Sequence, residues 1–375
     1  MALLTRGDLE QTRSHLTSWL AVKLPDAGEL EVSELSTPGS SGFSNETIFF
    51  RASWTASGRR EEREFVARFA PSGPQLFPNY DLAGQFQLIK TLAEESAVPV
   101  PRMTWLETAA NVFGEPFFVM ERVHGRVPAD DPPYMAQGWV TELSADERRL
   151  MFEAGLQALA SVHAVDWKAC GLEQLDRPGL ASSPLAQSVA YFENYYDWAR
   201  AGDRPHPVID ATFAWVRENL PSVEPDVVLN WGDARPGNLL IGDDLSVAAV
   251  LDWELACLGS RELDLGWWIF TQTMFSEGYG IPLPAGIPDA AETVAIYQAI
   301  TDYRVRDLDF HVRYAGLRSA LIFVRYCAVM IEVGALPPDS DLVDNNPLVQ
   351  TLAKVMGFES TQGDVTALQL NRAQN

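Results

Sequence analysis

The first third of the chain changes from a helical to a strand-like hydrophobic pattern near residue 29. Before this point, Leu9, Leu16 and Leu20 recur at helical spacing, which predicts an amphipathic helix over residues 3–22 that ends before Pro25. After it, short apolar runs predict strands over residues 30–36, 47–54, 64–70, 102–108 and 116–123, with a helix over residues 79–94. We therefore expect a five-stranded antiparallel sheet in this part of the chain.

The rest of the chain is mainly helical in its periodicity and follows a segment rich in glycine and proline, HGRVPADDPPY at residues 124–134. Its apolar spacing predicts helices over residues 146–165, 185–200, 210–220, 264–275, 291–301, 307–333 and 341–356. A chain of 375 residues also exceeds the usual domain size of about 100–200 residues. We predict an α+β fold with a small sheet-containing lobe over residues 1–122 and a larger helical lobe over residues 123–375.

Three side chains that can handle protons or metal ions gather around a predicted β-hairpin in the second lobe. Apolar runs at residues 239–241 and 247–251 flank the turn-forming Gly-Asp-Asp at residues 242–244. Because a hairpin brings the start of its first strand beside the end of its second, Asn238 and Asp252 should lie side by side. Asp233 lies on the loop that leads into the hairpin. Any one of the three could instead be an ordinary turn-forming residue.

Two features of the first lobe are typical of phosphate binding. Residues 37–46, TPGSSGFSNE, form a glycine-containing loop between two predicted strands, and glycine lets backbone N–H groups approach phosphate oxygens. An ordinary hairpin loop has the same composition. Arg68 interrupts an apolar strand, and an inward-facing cation needs a partner. A nucleotide phosphate would provide one, as would a neighbouring carboxylate or exposure at the surface.

The charge of the chain limits its partners. The net charge of −23 argues against nucleic acid and against an anionic membrane surface, since both require a basic face. The imbalance is −5 over residues 1–125 and −18 over residues 126–375. An acidic second lobe would attract a cationic small-molecule substrate, but acidity that only maintains solubility is the commoner explanation.

Cysteine and histidine indicate neither a disulfide framework nor a zinc site. Cys170, Cys257 and Cys327 are few, odd in number and scattered, which is typical of buried reduced thiols. His163, near the end of a predicted helix, is more typical of a packed, hydrogen-bonded residue than of a catalytic base. The start of the chain lacks the pattern of a signal peptide, and residues 319–336 are interrupted by Arg325 and Glu332. We expect a cytoplasmic protein.

The order of these features resembles the aminoglycoside phosphotransferase family of the protein-kinase-like fold. The resemblance covers roughly residues 30–340 and is most specific at Gly232-Asp233, Asn238 and the Leu-Asp-Trp-Glu sequence at residues 251–254. Within the family, it is closest to actinobacterial phosphotransferases with Trp-Gly-Asp-Ala-Arg, which stands here at residues 231–235. The resemblance implies a bilobal kinase-like fold and a reaction that uses ATP and Mg²⁺.

The resemblance also implies roles for particular residues. It makes Asp233 the base that orients the acceptor hydroxyl, and Asn238 and Asp252 the magnesium ligands, since Mg²⁺ prefers oxygen donors. It assigns nucleotide binding to the first lobe, at Ser41, Gly42, Arg68, Glu121 and Val123, the last two in the segment whose backbone meets the purine.

Four positions differ from the family or add to it. Arg68 replaces a strand lysine, and Gln85 replaces the glutamate that pairs with it, so an ion pair becomes a contact between a charged and a neutral group. Trp231 replaces a structural histidine beneath the metal loop. Asp264 resembles a position that stabilises the catalytic region, and it could also cap the following helix.

We therefore expect a kinase that phosphorylates a hydroxyl group of a small molecule. The acceptor could be an aminoglycoside, a sugar, an amino alcohol or a hydroxyacyl thioester. The alternatives are a non-catalytic nucleotide-binding protein and a metal-dependent hydrolase. The acceptor pocket should lie between the catalytic loop and the helices around residues 191–198 and 267–275, whose aromatic side chains could equally be core. Arg235 could reach a phosphate or the acceptor, or lie at the surface.

Overall fold

The computed structural model describes residues 9–37, 46–71, 73–200, 205–222 and 226–358. The chain divides into two compact units, Met1–His124 and Gly125–Asn375. This division lies two residues beyond the one predicted after residue 122. The fold is the expected α+β, bilobal arrangement, with an antiparallel sheet in the first unit and mostly helices in the second.

The first unit is built around the predicted five-stranded antiparallel sheet, which is confirmed. Its strands have the spatial order β1-β2-β3-β5-β4. The elements are α1 (Leu9–Lys23), β1 (Gly28–Val32), β2 (Glu46–Ala56), β3 (Arg59–Phe69), α2 (Leu82–Glu95), β4 (Met103–Glu107) and β5 (Phe117–Glu121). The strand β1 is shorter than predicted, and beyond it only Ser36 makes an isolated bridge to β2. Residues 3–8 of the predicted first helix lie outside the described residues.

The two faces of this sheet have different neighbours. Phe65 and Phe117 point toward α1 and join its Trp19 in one buried apolar cluster. Because side chains alternate along a strand, Phe118 points to the opposite face, where its ring lies 6.2 Å from that of Phe86 in α2. The sheet is therefore covered by one helix on each face.

The second unit contains eight helices and four short strands within its described residues. The helices are α3 (Trp139–Glu142), α4 (Ala145–His163), α5 (Pro184–Ala199), α6 (Pro207–Glu218), α7 (Glu262–Phe275), α8 (Ala290–Thr301), α9 (Leu308–Glu332) and α10 (Pro347–Met356). The strands are β6 (Val228–Asn230), β7 (Leu239–Ile241), β8 (Val247–Val250) and β9 (Cys257–Gly259). The strand β9, which pairs with β6, was not predicted.

Local capping explains where two of these helices begin. At α4, Ser144 and Glu147 form a reciprocal capping box, which starts the helix one residue before the predicted position. At α10, the Asn346 side chain accepts hydrogen bonds from the amides of Leu348 and Val349, and Pro347 occupies the first turn. The prediction of one helix over residues 341–356 was therefore too long at its start.

The helix α9 is the central element of the second unit. Its length and composition would suit a membrane span, but 61% of its apolar 18-residue stretch is buried inside the protein. It packs against α5, α6, α7 and α10. Its buried side chains, most of them apolar, fit this central position.

Candidate active site

The hairpin β7–β8 places the two predicted metal ligands at its open end. Leu239 pairs with Val250, and the amide of Leu251 donates to the carbonyl oxygen of Asn238 over 2.9 Å. Asp252 is the next residue and has a φ of 61°, a left-handed conformation that non-glycine residues seldom adopt. The backbone therefore turns sharply at Asp252, immediately beside Asn238.

The carboxylate of Asp233 is held by three side chains. One oxygen, Oδ1, accepts hydrogen bonds from Arg235 Nε at 2.8 Å and from Trp267 Nε1 at 2.7 Å. The other oxygen, Oδ2, accepts from Asn238 Nδ2 at 2.7 Å. A carboxylate has about four acceptor positions, so these bonds fix its orientation and leave room for a further donor such as a hydroxyl group.

The donors near the hairpin fit a hard divalent cation. Asn238 Nδ2 also donates to the carbonyl oxygen of Asp233, which leaves the amide oxygen of Asn238 as the atom that can bind a cation. Asp252 carries a carboxylate and follows Leu251, whose amide is bonded to the carbonyl of Asn238. Within the described ranges, no group of three or more His, Cys, Asp or Glu side chains is arranged to hold a metal ion. One carboxylate and one amide oxygen suit Mg²⁺, which usually retains several waters and binds substrate phosphates.

Arg235 lies between two carboxylates, and not at the surface. Besides Asp233, its guanidinium forms an ion pair with Asp130 in the segment before α3. Burial opposes the charge on Arg235, but the two carboxylates outweigh it and raise its pKa. Burial raises the pKa of Asp130, while Arg235 counteracts this effect. The guanidinium for which a phosphate, the acceptor or the surface were all considered thus holds Asp233.

Asp264 holds the backbone just before Asp233. Its two carboxylate oxygens accept hydrogen bonds from the amides of Trp231, at 2.7 Å, and Gly232, at 2.8 Å. The side chain is fully buried. Asp264 therefore fixes the backbone of residues 231–232, directly before the predicted base Asp233 (the catalytic segment, residues 231–233), where the family resemblance placed a stabilising role. The alternative, that it caps the helix α7, is wrong, because Arg261 precedes this helix and no side chain caps it.

His163 supports Asp264 from the end of α4. Its Nε2 lies 3.1 Å from Asp264 Oδ2, so this nitrogen donates, and Nδ1 accepts from the hydroxyl of Tyr297 over 2.6 Å. The ring is buried. His163 is the packed, hydrogen-bonded residue that the sequence suggested.

Trp231 and Gly232 connect the catalytic segment to the hairpin. The buried indole of Trp231 donates from Nε1 to the carbonyl oxygen of Leu251 over 2.7 Å, which ties it to the residue before Asp252. Gly232 has a φ of 93°, and a Cβ atom at this position would lie 2.1 Å from the carbonyl oxygen of Leu255. Only glycine fits there.

Arg318, in the middle of α9, contacts the same segment from another direction. Its side chain is 2% exposed and donates to the carbonyl oxygen of Gly232 over 3.0 Å. Its guanidinium also lies 4.6 Å from the ring centre of Trp267, the residue that donates to Asp233. The backbone of Gly232 is thus bound through its amide by α7 and through its carbonyl by α9.

Sequence reasoning missed Asp130, Trp267 and Arg318. Asp130 lies in a glycine- and proline-rich segment that indicated only a boundary, and Trp267 lies among aromatic residues that are mostly core. A signal existed for Arg318, because a cation within an otherwise apolar helix needs a buried partner. The identity of that partner depends on contacts between distant parts of the chain.

The structure describes some of the predicted nucleotide-binding residues of the first unit. Ser41 and Gly42 lie outside the described residues. Arg68 is half-buried on β3, directly opposite Phe118 in register, so it lies on the face of the sheet that α2 covers. Gln85 of α2 is buried, and its Oε1 has no hydrogen-bond partner among the described residues.

Glu121 and Val123 lie at and just beyond the end of β5. The carboxylate of Glu121 pairs with Arg63 at 3.3 Å and Arg102 at 3.9 Å. The amides of Glu121 and Arg122 donate to backbone carbonyls of neighbouring strands, each over 2.9 Å. Val123 is half-buried and follows the strand without regular structure.

Comparison with known proteins places most of the chain in one family. The model of the phosphotransferase enzyme family matches residues 36–305. This range includes Arg68, Asp233, Asn238, Asp252 and Asp264.

Curated relatives match a part of much longer proteins. Acyl-CoA dehydrogenase family member 11 of Rattus norvegicus is 27% identical over 307 residues, which cover 78% of this chain and 37% of that protein. The protein of the same name in Gallus gallus is 29% identical over 243 residues, covering 64% of this chain and 28% of that protein. The chain therefore spans about a third of the length of these relatives.

Solved structures share the fold. A protein of Ralstonia eutropha JMP134, provisionally assigned as an aminoglycoside phosphotransferase, superposes with a TM-score of 0.67 at 22% identity and covers 93% of this chain and 99% of its own. Macrolide 2'-phosphotransferase type I has a TM-score of 0.56 at 15% identity, covering 95% and 99%. A GDP complex of an aminoglycoside 2'-phosphotransferase mutant also has a TM-score of 0.56 at 15% identity, covering 92% and 97%.

Proposed function

Because the chain belongs to the phosphotransferase enzyme family, we propose that it transfers the γ-phosphate of ATP to a hydroxyl group of a small molecule, with Mg²⁺ as cofactor. The observation that carries this proposal is the carboxylate of Asp233, which is fixed by three donors beside the hairpin that bears Asn238 and Asp252. The proposal also places the enzyme in the cytoplasm, where ATP and Mg²⁺ are available.

In this reaction, Asp233 acts on the acceptor hydroxyl. In phosphoryl transfer, the protein mainly aligns the hydroxyl with the γ-phosphate and forms no covalent bond itself. The acceptor position left on the Asp233 carboxylate can receive the hydroxyl proton. Arg235 and Trp267 keep that carboxylate from rotating, so it remains oriented before the acceptor arrives.

Asn238 and Asp252 are the proposed ligands of Mg²⁺, as the oxygen donors of the hairpin suggest. When bound, the ion neutralises charge on the phosphates. In the first unit, we assign nucleotide binding to Ser41, Gly42 and Arg68 and to the segment with Glu121 and Val123. The GDP complex of a related fold supports a nucleotide as the phosphate donor.

Two classes of acceptor are supported by different observations. Aminoglycosides and macrolides appear in the names of the structural neighbours, and the acidic second unit suits a cation. The curated relatives are named acyl-CoA dehydrogenases, and this chain corresponds to only about a third of them. A phosphotransferase segment within such a protein would act on a related molecule, which favours a hydroxyacyl thioester.

The test is a screen of ADP formation with ATP, Mg²⁺ and aminoglycosides, sugars, amino alcohols or hydroxyacyl thioesters. We expect Asp233→Ala to lower kcat by about 100-fold or more, with the Kd for ATP nearly unchanged. Asp252→Ala should weaken binding of ATP only when Mg²⁺ is present. Asp309→Ala, which changes an exposed carboxylate on α9, is the matched control and should retain activity.

Two outcomes would contradict the proposal. Turnover that is equal in the native enzyme and Asp233→Ala would remove the assigned base. Thermal stabilisation by ATP that is the same without Mg²⁺, together with no acceptor-dependent ADP formation, would identify a non-catalytic nucleotide-binding protein.

A further inference from the structure

A small cavity lies beside the catalytic segment, within the second unit. The polar side chains of its wall include Arg177, Gln187, Ser188, Tyr191, Glu254 and Arg318. Arg318 connects it to the reaction centre, because the same guanidinium binds the carbonyl of Gly232 and stacks on Trp267. Trp267 in turn donates to Asp233. The cavity is therefore connected to the proposed base through Arg318 and Trp267.

The size of the cavity decides what it can hold. Its volume is about 50 Å³, which exceeds the space of about 10–15 Å³ that one water requires. It is far smaller than the roughly 300–1,000 Å³ that usually encloses a drug-sized ligand. In this conformation, the cavity can take one small group of an acceptor, but not a whole aminoglycoside.

The charge of its wall is opposite to that of the chain. The charged residues of the wall are Arg177, Arg318 and Glu254, two cations and one anion, in a protein with a net charge of −23. Arg177 is exposed, with its guanidinium 5.4 Å from the ring centre of Tyr191. Arg318 is buried, and its Nε has no hydrogen-bond partner among the described residues. The local balance favours an anionic group.

Two neutral polar residues of the wall, Gln187 and Ser188, already have hydrogen-bond partners. Gln187 accepts from the amide of Arg177 at 2.8 Å and donates to Asp176 and to the carbonyl of Ala181. Ser188 shares a hydrogen bond of 2.8 Å with Tyr314. The charged groups that a ligand would meet at this wall are Arg177, Arg318 and Glu254, next to the ring of Tyr191.

From these observations, and resting on the proposed function, we propose that the cavity binds a carboxylate of the acceptor. The acceptor is then a hydroxy acid, with its hydroxyl at Asp233 and its carboxylate at Arg177 and Arg318, in place of the aminoglycoside and the hydroxyacyl thioester considered above. Guanidinium groups present paired donors that match a planar carboxylate. A carboxylate also has few enough atoms for this cavity. Polycationic acceptors are disfavoured by the same two arginines.

The first experiment compares matched acceptors. ADP formation is measured with straight-chain ω-hydroxy acids of increasing length, with their methyl esters and with amino alcohols of equal length. We expect kcat/KM to be at least tenfold higher for the acid than for its ester at the best length. Turnover of amino alcohols or of neutral esters, with none of the acids, would overturn this inference and leave the proposed function intact. If no alcohol of any class is phosphorylated, the proposed function fails.

The second experiment tests the cavity without turnover. Binding of straight-chain carboxylates that lack the hydroxyl is measured by calorimetry in the native protein and in variants. Arg177→Gln should raise Kd about tenfold, whereas Glu254→Gln should lower it, because one removes an attractive charge and the other a repulsive one. Arg149→Gln, an arginine of α4 outside the cavity wall, is the matched control and should not change Kd. Absence of carboxylate binding, or equal Kd in Arg177→Gln and the native protein, would refute the inference.

Discussion

The carboxylate of Asp233 depends on three side chains from two parts of the chain. Arg235 and Asn238 are its near neighbours in sequence, whereas Trp267 comes from α7. Asp264, from the first turn of the same helix, holds the amides before Asp233. One helix therefore fixes both the side chain of Asp233 and the backbone that carries it.

At this scale, we predict that Asp264→Asn lowers both stability and kcat. The amide group cannot accept both loop hydrogen bonds, and an unsatisfied buried donor costs about 1–3 kcal/mol in free energy of unfolding. The amides of Trp231 and Gly232 would then shift and displace Asp233, so kcat should fall by about tenfold or more. Urea unfolding and steady-state kinetics measure the two effects.

Glu262→Gln is the matched control for this substitution. Glu262 is also a buried carboxylate in the first turn of α7, but it accepts hydrogen bonds from Tyr303 and from the amide of Arg306, away from the catalytic segment. It should lose stability and retain kcat. A loss of kcat in Glu262→Gln as large as in Asp264→Asn would show that general destabilisation explains both.

Sequence and structure agree best where the chemistry is local. Asp233, Asn238 and Asp252 could be chosen from the sequence because a strand, a turn and a short loop relate them over few residues. Asp130, Trp267 and Arg318 could not, since each reaches the site only after distant segments pack together. The ion pair between Arg235 and Asp130 was not predicted for the same reason, because the two residues are 105 positions apart.

At the scale of elements, the hairpin β7–β8 and the segment before it form one unit. Trp231 binds the end of the hairpin through Leu251, and Gly232 lies against Leu255 just beyond it. The turn residues and β-branched runs predicted the hairpin correctly. The strand β9 has only three residues and no alternating pattern, so only its pairing with β6 reveals it.

We predict that Gly232→Ala destabilises the second unit by about 2–4 kcal/mol, since a methyl group adds overpacking to a left-handed backbone. Its Cβ would lie 2.1 Å from a carbonyl oxygen. Gly280→Ala is the control, because Gly280 has a φ of 67° with nothing within 4 Å of the added atom. Urea unfolding should show a loss of only about 1 kcal/mol there. Equal losses at both positions would mean that conformation alone, and not contact with Leu255, makes glycine necessary.

At the scale of the molecule, buried histidines make stability depend on pH. Burial lowers the pKa of His311, and also that of His206. His311 is neutral in the fold, because Nδ1 donates to the carbonyl of Asp307 and Nε2 accepts from Ser260. An unfolded histidine has a pKa of about 6.5, so below this pH the unfolded chain binds protons that the folded chain excludes.

The free energy of unfolding should therefore decrease as the pH falls from 7.5 to 5.5. Each histidine can contribute at most about 1.4 kcal/mol per pH unit. We expect the double variant His206→Gln, His311→Gln to be less stable at pH 7.5 but to lose less on acidification. Urea unfolding at several pH values provides the measurement. An unchanged slope in the double variant would assign the pH dependence to other groups.

The bonds around Asp264 also determine when during folding the site can exist. His163 and Asp264 are 101 residues apart in sequence, and Arg318 lies 86 residues from Gly232. Contacts between residues so far apart in sequence form late in folding. The entropy cost of closing the long loop between them comes before any stabilisation by the contact. In a partly folded chain, whose helices are formed but loosely packed, the side chain of Asp233 would not yet have a fixed orientation. The appearance of phosphotransfer would then mark the final packing of α4, α7 and α9.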